Sequence, residues 1–591
     1  MKLKGYISLL ALSLSAFVSC TNLDENIYST VARENYYNSR KDVIRMVFRP
    51  FEHAYFTGWN WGVNEQTADQ IVVVTHDTWF DDGGKYRRTA AHEYNVETVE
   101  SSSWTLPYQG IGQCNFVIEE LQRLDRTQFG FSQEEWDSFS TQNRALRAKY
   151  YLNLFDLFRN LLMVTHYHDQ SLNPKKQVSP RTTFEFIESE LKDCIAGLPV
   201  KQGTGGNMEM QGQLTKAAAA TMLVRLYLNA EVYIGESRFD ECEKWAREII
   251  SGKYGSYSVA DRWDSAFDWN NETSPEVIFA YPGSKAYSFH QYSSWNLWWA
   301  APLGSDYYFN DLKCKAREQS GSHMPKLSVA PSYDLDGNPY EFDLGSPVQK
   351  FRKYSGDERK GQILDERMKK YRNLGNSTRE GMFLYGYLEY TENGVTKRVK
   401  GSGGADMCLH DAVGKFVKNG VVLGPDEWPG GVSNHQAGDH NSCYYFVKYP
   451  FYSDNDEGQL EADYTEFRLP EVIYSLAECL VRRGETEEAG KLLNGVRRRN
   501  YKAATEEQLK NILYRPEGNV ELNLDEMLDE WGREFFGEGR RRIDLIRFGK
   551  FTTATWWDKN PESDDHTIIF PLARQVLSAN PNLEQNPGYN K

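Results

Sequence analysis

Cysteine is scarce in this sequence, and its spacing carries no metal or disulfide signature. The 591 residues include eight cysteines, and no two of them form a CxxC pair. Zinc sites and redox motifs need such closely spaced pairs, and a disulfide framework normally uses an even number of cysteines. One cysteine, Cys20, belongs to the leader described below, so an odd number remains. We predict no metal site, and buried free thiols at the helical positions Cys194, Cys242 and Cys479.

Positively charged residues are also fewer than negatively charged ones. Lysine and arginine total 68 against 83 aspartates and glutamates, which gives a net charge of −15. Nucleic-acid binding depends on clustered cationic surface, so this balance argues against a nucleic-acid partner.

The body of the chain has no run of 18 consecutive apolar residues, which excludes a spanning helix there. Hydrophobic residues make up 40%, enough for a large folded core rather than wholesale disorder.

The first twenty residues have the features of an export signal. Lys2 and Lys4 precede an apolar stretch at 7–18, which is too short for a stable spanning helix. The stretch ends in Ser19 followed by Cys20, and this arrangement looks like a bacterial lipobox. We predict that residues 1–19 are removed as a signal peptide and that Cys20 becomes a lipid anchor. Several acyl chains on one residue hold a protein firmly on a bilayer.

Hydrophobic periodicity predicts helices, several of them in pairs. Helix–Gly–helix units occur at 215–252, where Gly235 separates the two apolar stripes, and at 469–497, where Gly484 does so. A unit of about 34 residues of this kind is typical of tetratricopeptide (TPR) repeats. Further stripes predict a helix through 146–161 and a last one through 524–535. The predicted fold class is mostly α, with a scaffold of TPR-like helical hairpins.

Between 253 and 465 the helical period disappears. Glycine, proline, asparagine, aspartate and aromatic residues increase, and Asp-Gly and Asn-Gly pairs indicate the turns of short β-hairpins. A long irregular insertion in a helical frame is usually functional, because the frame positions its loops. We therefore divide the chain into four regions: signal peptide 1–19, N-terminal helical region 20–252, loop-rich ligand-binding insertion 253–465 and C-terminal region 466–591.

The C-terminal region is rich in alternating charges. Its glutamates and arginines between 530 and 541 lie at helical spacing, which predicts ion pairs that support a helix. Asp544 and Arg547 are predicted to clamp the following turn to the helical frame. Two Asn-Pro pairs near the end, at 580–581 and 586–587, predict a pinned, extended tail.

Four stretches of this region carry a family resemblance. In chain order they read FRLPEVIYSLAE at 467–478, NGVRRR at 494–499, EWGREFFGEGRRRIDLIRFG at 530–549 and NPNLEQNPGY at 580–589. They resemble the characteristic stretches of the SusD/RagB family of nutrient-binding lipoproteins, in the same order. Partial matches at 104–121, 144–157 and 213–230 extend the resemblance over most of the mature chain.

The resemblance implies a function as well as a SusD-like fold. Members of this family are lipid-anchored to the outer membrane, face outward and bind glycans. They have no catalytic activity and no cofactor, and they deliver oligosaccharide or polysaccharide to a SusC-like TonB-dependent transporter. The resemblance therefore implies a cell-surface lipoprotein with a glycan ligand and a transporter partner.

Sugar rings have apolar faces and a polar rim, so a glycan site needs exposed aromatic side chains among short polar ones. The densest such cluster, YSSWNLWW, occupies 292–299, and a second one at 59–64 is followed by further aspartate and tryptophan. Family glycan sites draw on the loops of both regions. We predict these glycan-binding residues: Asn64, Asp69, Trp79, Tyr292, Trp295, Trp298 and Trp299.

Two alternatives to a glycan importer stay open at this point. The first is a TPR-type scaffold, or a peptide-binding member of the same family. The second is an extracytoplasmic glycoside hydrolase, which needs two carboxylates about 5–10 Å apart. Any chain with 83 acidic residues has such a pair, so this criterion carries no signal. No HExxH, GxSxG, GxGxxG or P-loop pattern is found, and we predict no catalytic residue.

Overall fold

The computed structural model describes twelve stretches of the chain. Structural statements below refer to these residues: 36–56, 59–75, 83–167, 175–201, 212–268, 270–283, 327–354, 364–371, 380–400, 404–449, 462–503 and 505–590.

The described helices concentrate at the two ends of the chain. In the N-terminal part they are α1 Arg40–Phe56, α2 Trp59–Gln66, α3 Lys85–Ala90, α4 Ser102–Arg123, α5 Gln133–Phe158, α6 Pro180–Gly197, α7 Lys216–Leu228, α8 Ala230–Ile234 and α9 Phe239–Ile250. The later ones are α10 Pro347–Arg352, α11 Leu469–Arg482, α12 Thr486–Arg497, α13 Glu506–Lys510, α14 Leu524–Glu534, α15 Arg541–Arg547 and α16 Arg574–Ala579.

The long helices pack as a series of hairpins. Helix α4 packs on α5, α5 on α6, α6 on α7 and α7 on α9, and α9 then meets the C-terminal hairpin of α11 and α12. The predicted breaks are confirmed, since Gly235 and Gly484 both have positive φ, at 72° and 85°, where glycine is favoured. The mostly α, TPR-like hairpin scaffold is therefore confirmed.

Local sequence explains where the central helix α5 begins and ends. Ser132 caps its first turn in a capping box with Glu135, which satisfies two amides that a helix start leaves unpaired. The helix ends at Phe158, where Arg159 takes a φ of 61°. Leu161, which we placed in this helix, therefore lies beyond its end, although its side chain is still buried.

Helices α4 and α5 approach each other very closely at one glycine. A Cβ atom added to Gly110 would lie 2.2 Å from Cζ of Tyr150, well inside van der Waals contact. The Tyr150 side chain is buried against this glycine, and its hydroxyl donates to the carbonyl of Pro50 at 2.8 Å. The absence of a side chain at Gly110 thus lets the first hairpin close.

The described strands form short antiparallel ladders of two strands each. They are β1 Ile71–Val72, β2 Val277–Tyr281, β3 Ser328–Val329, β4 Phe383–Leu384, β5 Gly386–Tyr387, β6 Glu389–Glu392, β7 Val395–Arg398, β8 Cys408–Leu409, β9 Val417–Lys418, β10 Val421–Val422, β11 Tyr445–Phe446 and β12 Tyr464–Arg468. The predicted Asn-Gly turns are confirmed, because Asn393-Gly394 joins β6 to β7 and Asn419-Gly420 joins β9 to β10.

The region between the helical ends shares its core with both of them. Of the described residues between 253 and 465, only Pro347–Arg352 form an α-helix. One hydrophobic cluster combines Trp61 from the N-terminal part, Phe351 and Phe383 from the middle, and Phe536 from the C-terminal part. The aromatic rings of Phe351, Phe383 and Phe536 touch one another with centroids 5.1–5.7 Å apart. The region boundaries at 253 and 465 stay predictions.

The C-terminal charges form a buried network between elements, and this corrects the local helix interpretation. Glu534 in α14 is 3% exposed and accepts bonds from Arg468 and Arg499, each at 2.7 Å, and from Arg367 at 3.3 Å. Of the expected pairs inside the helix, Arg533 with Glu530 is present at 2.8 Å. The local interpretation missed the rest because those partners lie far away in sequence.

The predicted clamp at Asp544 and Arg547 is confirmed. Arg547 binds both oxygens of Glu478 in α11 at 2.8 Å, and it also donates to Asn229 at 2.9 Å. Asp544 accepts from Arg547 at 2.7 Å. Helix α15 is thereby fixed to the hairpin scaffold, as the charge pattern indicated.

The C-terminal tail closes one end of α5. Asn586 donates to the carbonyl oxygens of Phe158 at 3.0 Å and Phe570 at 2.7 Å, and the Phe570 amide donates to Leu157 at 2.8 Å. These bonds satisfy carbonyl groups that the helix end leaves free. The predicted pinning of the tail is confirmed.

The described cysteines agree with the sequence analysis. Cys194, Cys242 and Cys479 are buried free thiols, as are the other described cysteines. Among the residues that the structure describes, no helix combines the length and the apolar character that a bilayer crossing requires.

Candidate functional site

Most of the residues predicted from sequence to bind glycan lie outside the described residues. These are Trp79, Tyr292, Trp295, Trp298 and Trp299, and the same holds for the predicted lipid anchor Cys20. Their roles stay predictions.

The described residues that flank the segment with Trp79 and the segment with residues 292–299 lie on paired strands or next to them. Val72 pairs with Ser328 in the antiparallel β1–β3 ladder. The chain therefore leaves β1 towards residue 76 at the same end of the ladder where it enters β3 from residue 326. In the β2–β12 ladder, Gly283 follows β2 and its amide donates to the carboxylate of Asp463, which precedes β12, at 2.8 Å. Chain segments that are far apart in sequence therefore start or end next to each other, at the ends of these ladders.

Asp69 is held by protein groups on both carboxylate oxygens. Arg541 donates to Oδ1 at 2.6 Å and to Oδ2 at 3.0 Å, and the Gly345 amide donates to Oδ2 at 3.0 Å. The residue is 1% exposed. Burial raises the pKa of this carboxyl, but Arg541, Lys350 and the Gly345 amide together outweigh burial and lower the pKa to about 2. Sugar contact by Asp69 stays a prediction, while its geometry favours a structural role.

Asn64, the other polar residue predicted from sequence, lines a cavity. Its amide nitrogen donates to the carbonyl of Gly539 at 2.9 Å, and its buried Oδ1 has no partner among the described residues. Its neighbour Trp61 is 6% exposed and donates to the carbonyl of Gly537 at 2.8 Å. This tryptophan of the second aromatic cluster is therefore part of the core, although it also touches the cavity wall.

The cavity, which we call the tyrosine groove, has a volume of about 140 Å³. Three tyrosines line it: Tyr55 at the end of α1, Tyr281 at the end of β2 and Tyr464 at the start of β12. The ring centroids of Tyr55 and Tyr281 are 5.4 Å apart, and those of Tyr281 and Tyr464 are 6.3 Å apart. Asn64 and Lys149 also line the groove.

The β2–β12 ladder explains how two of these tyrosines meet. Tyr281 and Tyr464 are direct partners in the antiparallel register, so their side chains point to the same face of the ladder. Burial raises the pKa of both phenols well above the usual value, which keeps them neutral. Neutral phenols offer hydrogen-bond donors beside flat apolar faces.

The charged residues around the groove are paired with opposite charges. Lys149 in α5 lies 3.2 Å from Glu466, and Arg225 in α7 binds Glu471. Burial lowers the pKa of Lys149, and Glu466 opposes this effect. Burial also acts to lower the pKa of Arg225, but Glu471 and Glu466 with Tyr464 together outweigh it, so the net shift of the pKa is upward.

Sequence reasoning missed Tyr55, Tyr281, Tyr464 and Lys149. Tyr281 and Tyr464 end and begin separate strands and become neighbours only through the register of the ladder. Lys149 lies on a helix and is 5% exposed. No local signal marks Lys149 as a groove residue, because the polar residues Asn153 and Asp156 lie on the same face of α5.

Comparison with known proteins identifies the family. The model of the SusD family matches residues 275–589, which is more than half of the chain. The chain belongs to the SusD family.

This SusD-family chain is also similar to two curated relatives. The "Starch-binding protein SusD" of Bacteroides thetaiotaomicron is 25% identical over 490 residues, 81% of this chain and 76% of the relative. The "SusD-like protein P25" of Formosa agariphila is 21% identical over 605 residues, 100% of this chain and 99% of the relative.

Solved structures confirm the fold of this SusD-family chain. A structure named "B. fragilis NanU" has a TM-score of 0.61 at 16% identity and covers 95% of this chain and 99% of its own. A "Laminarin binding SusD-like protein" has a TM-score of 0.57 at 18% identity and covers 94% of this chain and 100% of its own. The SusD-like fold predicted from sequence is therefore confirmed.

Proposed function

We propose that this SusD-family chain is a glycan-binding protein whose ligand is an oligosaccharide or polysaccharide. The observation that carries the proposal is the similarity to a relative named as a starch-binding protein, over 81% of this chain. A structural relative named as laminarin-binding supports the same ligand class.

The proposed glycan contacts are Trp79, Tyr292, Trp295, Trp298 and Trp299, with Asn64 as a hydroxyl partner. Flat aromatic side chains stack on the apolar faces of sugar rings, and amides satisfy hydroxyl groups. The described residues that flank the segments of these aromatics lie at ends of the β1–β3 and β2–β12 ladders. Because these segments start or end next to paired strands, residues that are distant in sequence can contribute to one site.

Location and partner form the second part of the proposal. Cys20 anchors the mature chain by its lipid to the outer membrane, on the cell surface, and the protein passes its ligand to a SusC-like TonB-dependent transporter. The lipobox-like sequence at 19–20 and the family membership support this. The proposed activity is binding without turnover, so the protein is not an enzyme.

Polysaccharide retardation tests the proposal. The soluble chain that begins after Cys20 is run in native gels that contain starch, laminarin or other glucans and mannans, and products are assayed in parallel. We expect slower migration in at least one glycan and no released sugar. Released oligosaccharide would show a hydrolase instead. Unchanged migration in every glycan, with a transporter barrel still co-purifying from cells, would show a scaffold or a peptide cargo.

A further inference from the structure

The tyrosine groove has the size for a six-membered ring. Its volume is about 140 Å³, and an engineered cavity of about 150 Å³ in another protein accommodates benzene. The groove is not closed, because Tyr55, Tyr464 and Glu466 on its wall are partly exposed. A ring with hydroxyl substituents can therefore enter the groove from solvent.

Two buried polar atoms on the wall lack partners among the described residues. They are the hydroxyl oxygen of Tyr281, whose residue is 3% exposed, and Oδ1 of Asn64, whose residue is 9% exposed. A buried polar group without a hydrogen bond is costly, so native proteins rarely leave one unpaired. One atom is a hydroxyl that can donate and the other is an acceptor, and both line the same cavity.

The walls combine this polarity with aromatic faces. Tyr55, Tyr281 and Tyr464 form a three-ring cluster in which Tyr281 is 19–22° from the other two ring planes, and Tyr55 and Tyr464 are tilted by 39° to each other. Leu152 and Phe535 add apolar surface. A ligand that fits must have an apolar face and hydroxyl groups on its edge, which is the chemistry of a sugar ring.

The charges around the groove cancel in pairs, and this selects against charged ligands. Each charged side chain on the wall has an opposite charge within 4 Å: Lys149 with Glu466, Arg225 with Glu471, Arg468 with Glu534, Glu538 with Lys448, Arg540 with Asp544 and Asp156 with Arg542. An anionic or cationic ligand would have to break one of these pairs, whereas a neutral ligand would not.

We propose that the tyrosine groove binds one neutral sugar ring, stacked on the tyrosines and hydrogen-bonded to the Tyr281 hydroxyl and to Oδ1 of Asn64. This site deepens the proposed function, on which it rests, and it is separate from the aromatic segments proposed to bind long glycans. It provides a pocket for a single sugar unit with selection against uronic and sialic acids.

The test uses two Tyr→Phe variants, each of which removes one phenolic hydroxyl group: one hydroxyl lines the groove and the other does not. Saturation-transfer NMR measures binding of the methyl glycosides of glucose, galactose, mannose and N-acetylglucosamine, with glucuronate as the charged probe. We expect at least one neutral glycoside to bind and glucuronate to bind more weakly. Tyr281→Phe should weaken binding by about fivefold because one hydrogen bond is lost. Its Tm without sugar should not fall, because this hydroxyl has no partner among the described residues.

Tyr94→Phe is the matched control. The buried Tyr94 is not among the residues that line the groove, and its hydroxyl donates to the carbonyl of Thr567 at 2.6 Å, so this variant should melt earlier and bind sugar like the parent. A third variant, Ala54→Phe, places a ring into the groove and should abolish binding while its far-ultraviolet circular dichroism stays unchanged. Parent-like binding by Tyr281→Phe, or by a folded Ala54→Phe, would overturn the assignment, as would tighter binding of glucuronate.

The same proteins in the polysaccharide gels separate the two proposals. Retardation of the parent without binding of any neutral glycoside would overturn the groove assignment and leave the proposed function intact. If the parent is not retarded by any polysaccharide and binds no neutral glycoside, the proposed function is overturned as well.

Discussion

Arg541 and Asp69 form a two-point ion pair across 472 positions of the chain, with nitrogen–oxygen distances of 2.6 and 3.0 Å. Both side chains are buried. Because Asp69 also accepts the amide of Gly345, the pair connects the N-terminal, middle and C-terminal parts of the protein.

Asp69→Asn should destabilise the fold. The substitution leaves the Arg541 guanidinium buried without its counter-charge, which costs about 3–5 kcal/mol. Denaturant unfolding measures the loss. The control is Glu97→Gln, which removes an ion pair with Arg574 whose two side chains are 59% and 55% exposed, and which should cost less than about 1 kcal/mol. Equal effects of the two substitutions would show that burial of the first pair is unimportant.

Glu65→Gln should change the dependence of stability on pH. The Glu65 carboxyl accepts the amides of Gly539 at 2.6 Å and Arg540 at 3.3 Å, and burial raises its pKa from 4.5 to about 8. Between pH 4.5 and 8 the folded state then holds a proton that the unfolded state has lost. Stability from this group is therefore present below pH 4.5 and is lost as pH rises through 8, by at most about 1.4 kcal/mol per pH unit.

Glutamine keeps the accepting oxygen but cannot titrate. The free energy of unfolding of Glu65→Gln, measured by urea titration from pH 5 to 9, should gain on that of the parent as pH rises. Parallel curves for the two proteins would contradict the raised pKa.

Gly110→Ala should open the first helical hairpin. The added methyl group would lie 2.2 Å from the Tyr150 ring, and overpacking of this kind costs about 1–3 kcal/mol. Gly495→Ala is the control, because that glycine in α12 has nothing within 4 Å of an added Cβ. It should stabilise the protein by about 0.5–1 kcal/mol. Thermal unfolding measures both, and opposite signs are the expected result.

Trp295→Ala and Trp298→Ala should weaken glycan binding. An aromatic side chain that acts as a hot spot contributes roughly 1–3 kcal/mol on truncation. Calorimetry with the glycan that retards the parent measures the change, and Trp263→Phe, a conservative change at a buried tryptophan, serves as the control. Parent-like affinity in both alanine variants would remove this segment from the binding site.

Cys20→Ala should release the protein from the membrane without changing its fold. The variant loses the only position at which the predicted lipid can be attached, and the lipid supplies the hydrophobic anchor. Cell fractionation in high salt followed by immunoblotting measures the distribution. A variant that stays in the membrane fraction would contradict the anchor.

Sequence periodicity predicted the helical frame because its signals are local. The glycine breaks at Gly235 and Gly484 and the clamp at Arg547 lie inside continuous motifs, and each is found in the structure. The groove could not be predicted in the same way. Tyr281 and Tyr464 are brought together by strand register, and the partners of Glu534 come from three separate segments, so no window of sequence contains either arrangement.

The contact between Asn586 and Phe158 also makes one end of α5 depend on residues from the far end of the polypeptide. The two residues are 428 positions apart, so the Phe158 carbonyl gains this amide donor after almost the whole chain has become available for folding. A chain cut before position 586 therefore leaves this carbonyl at the end of α5 without the Asn586 amide.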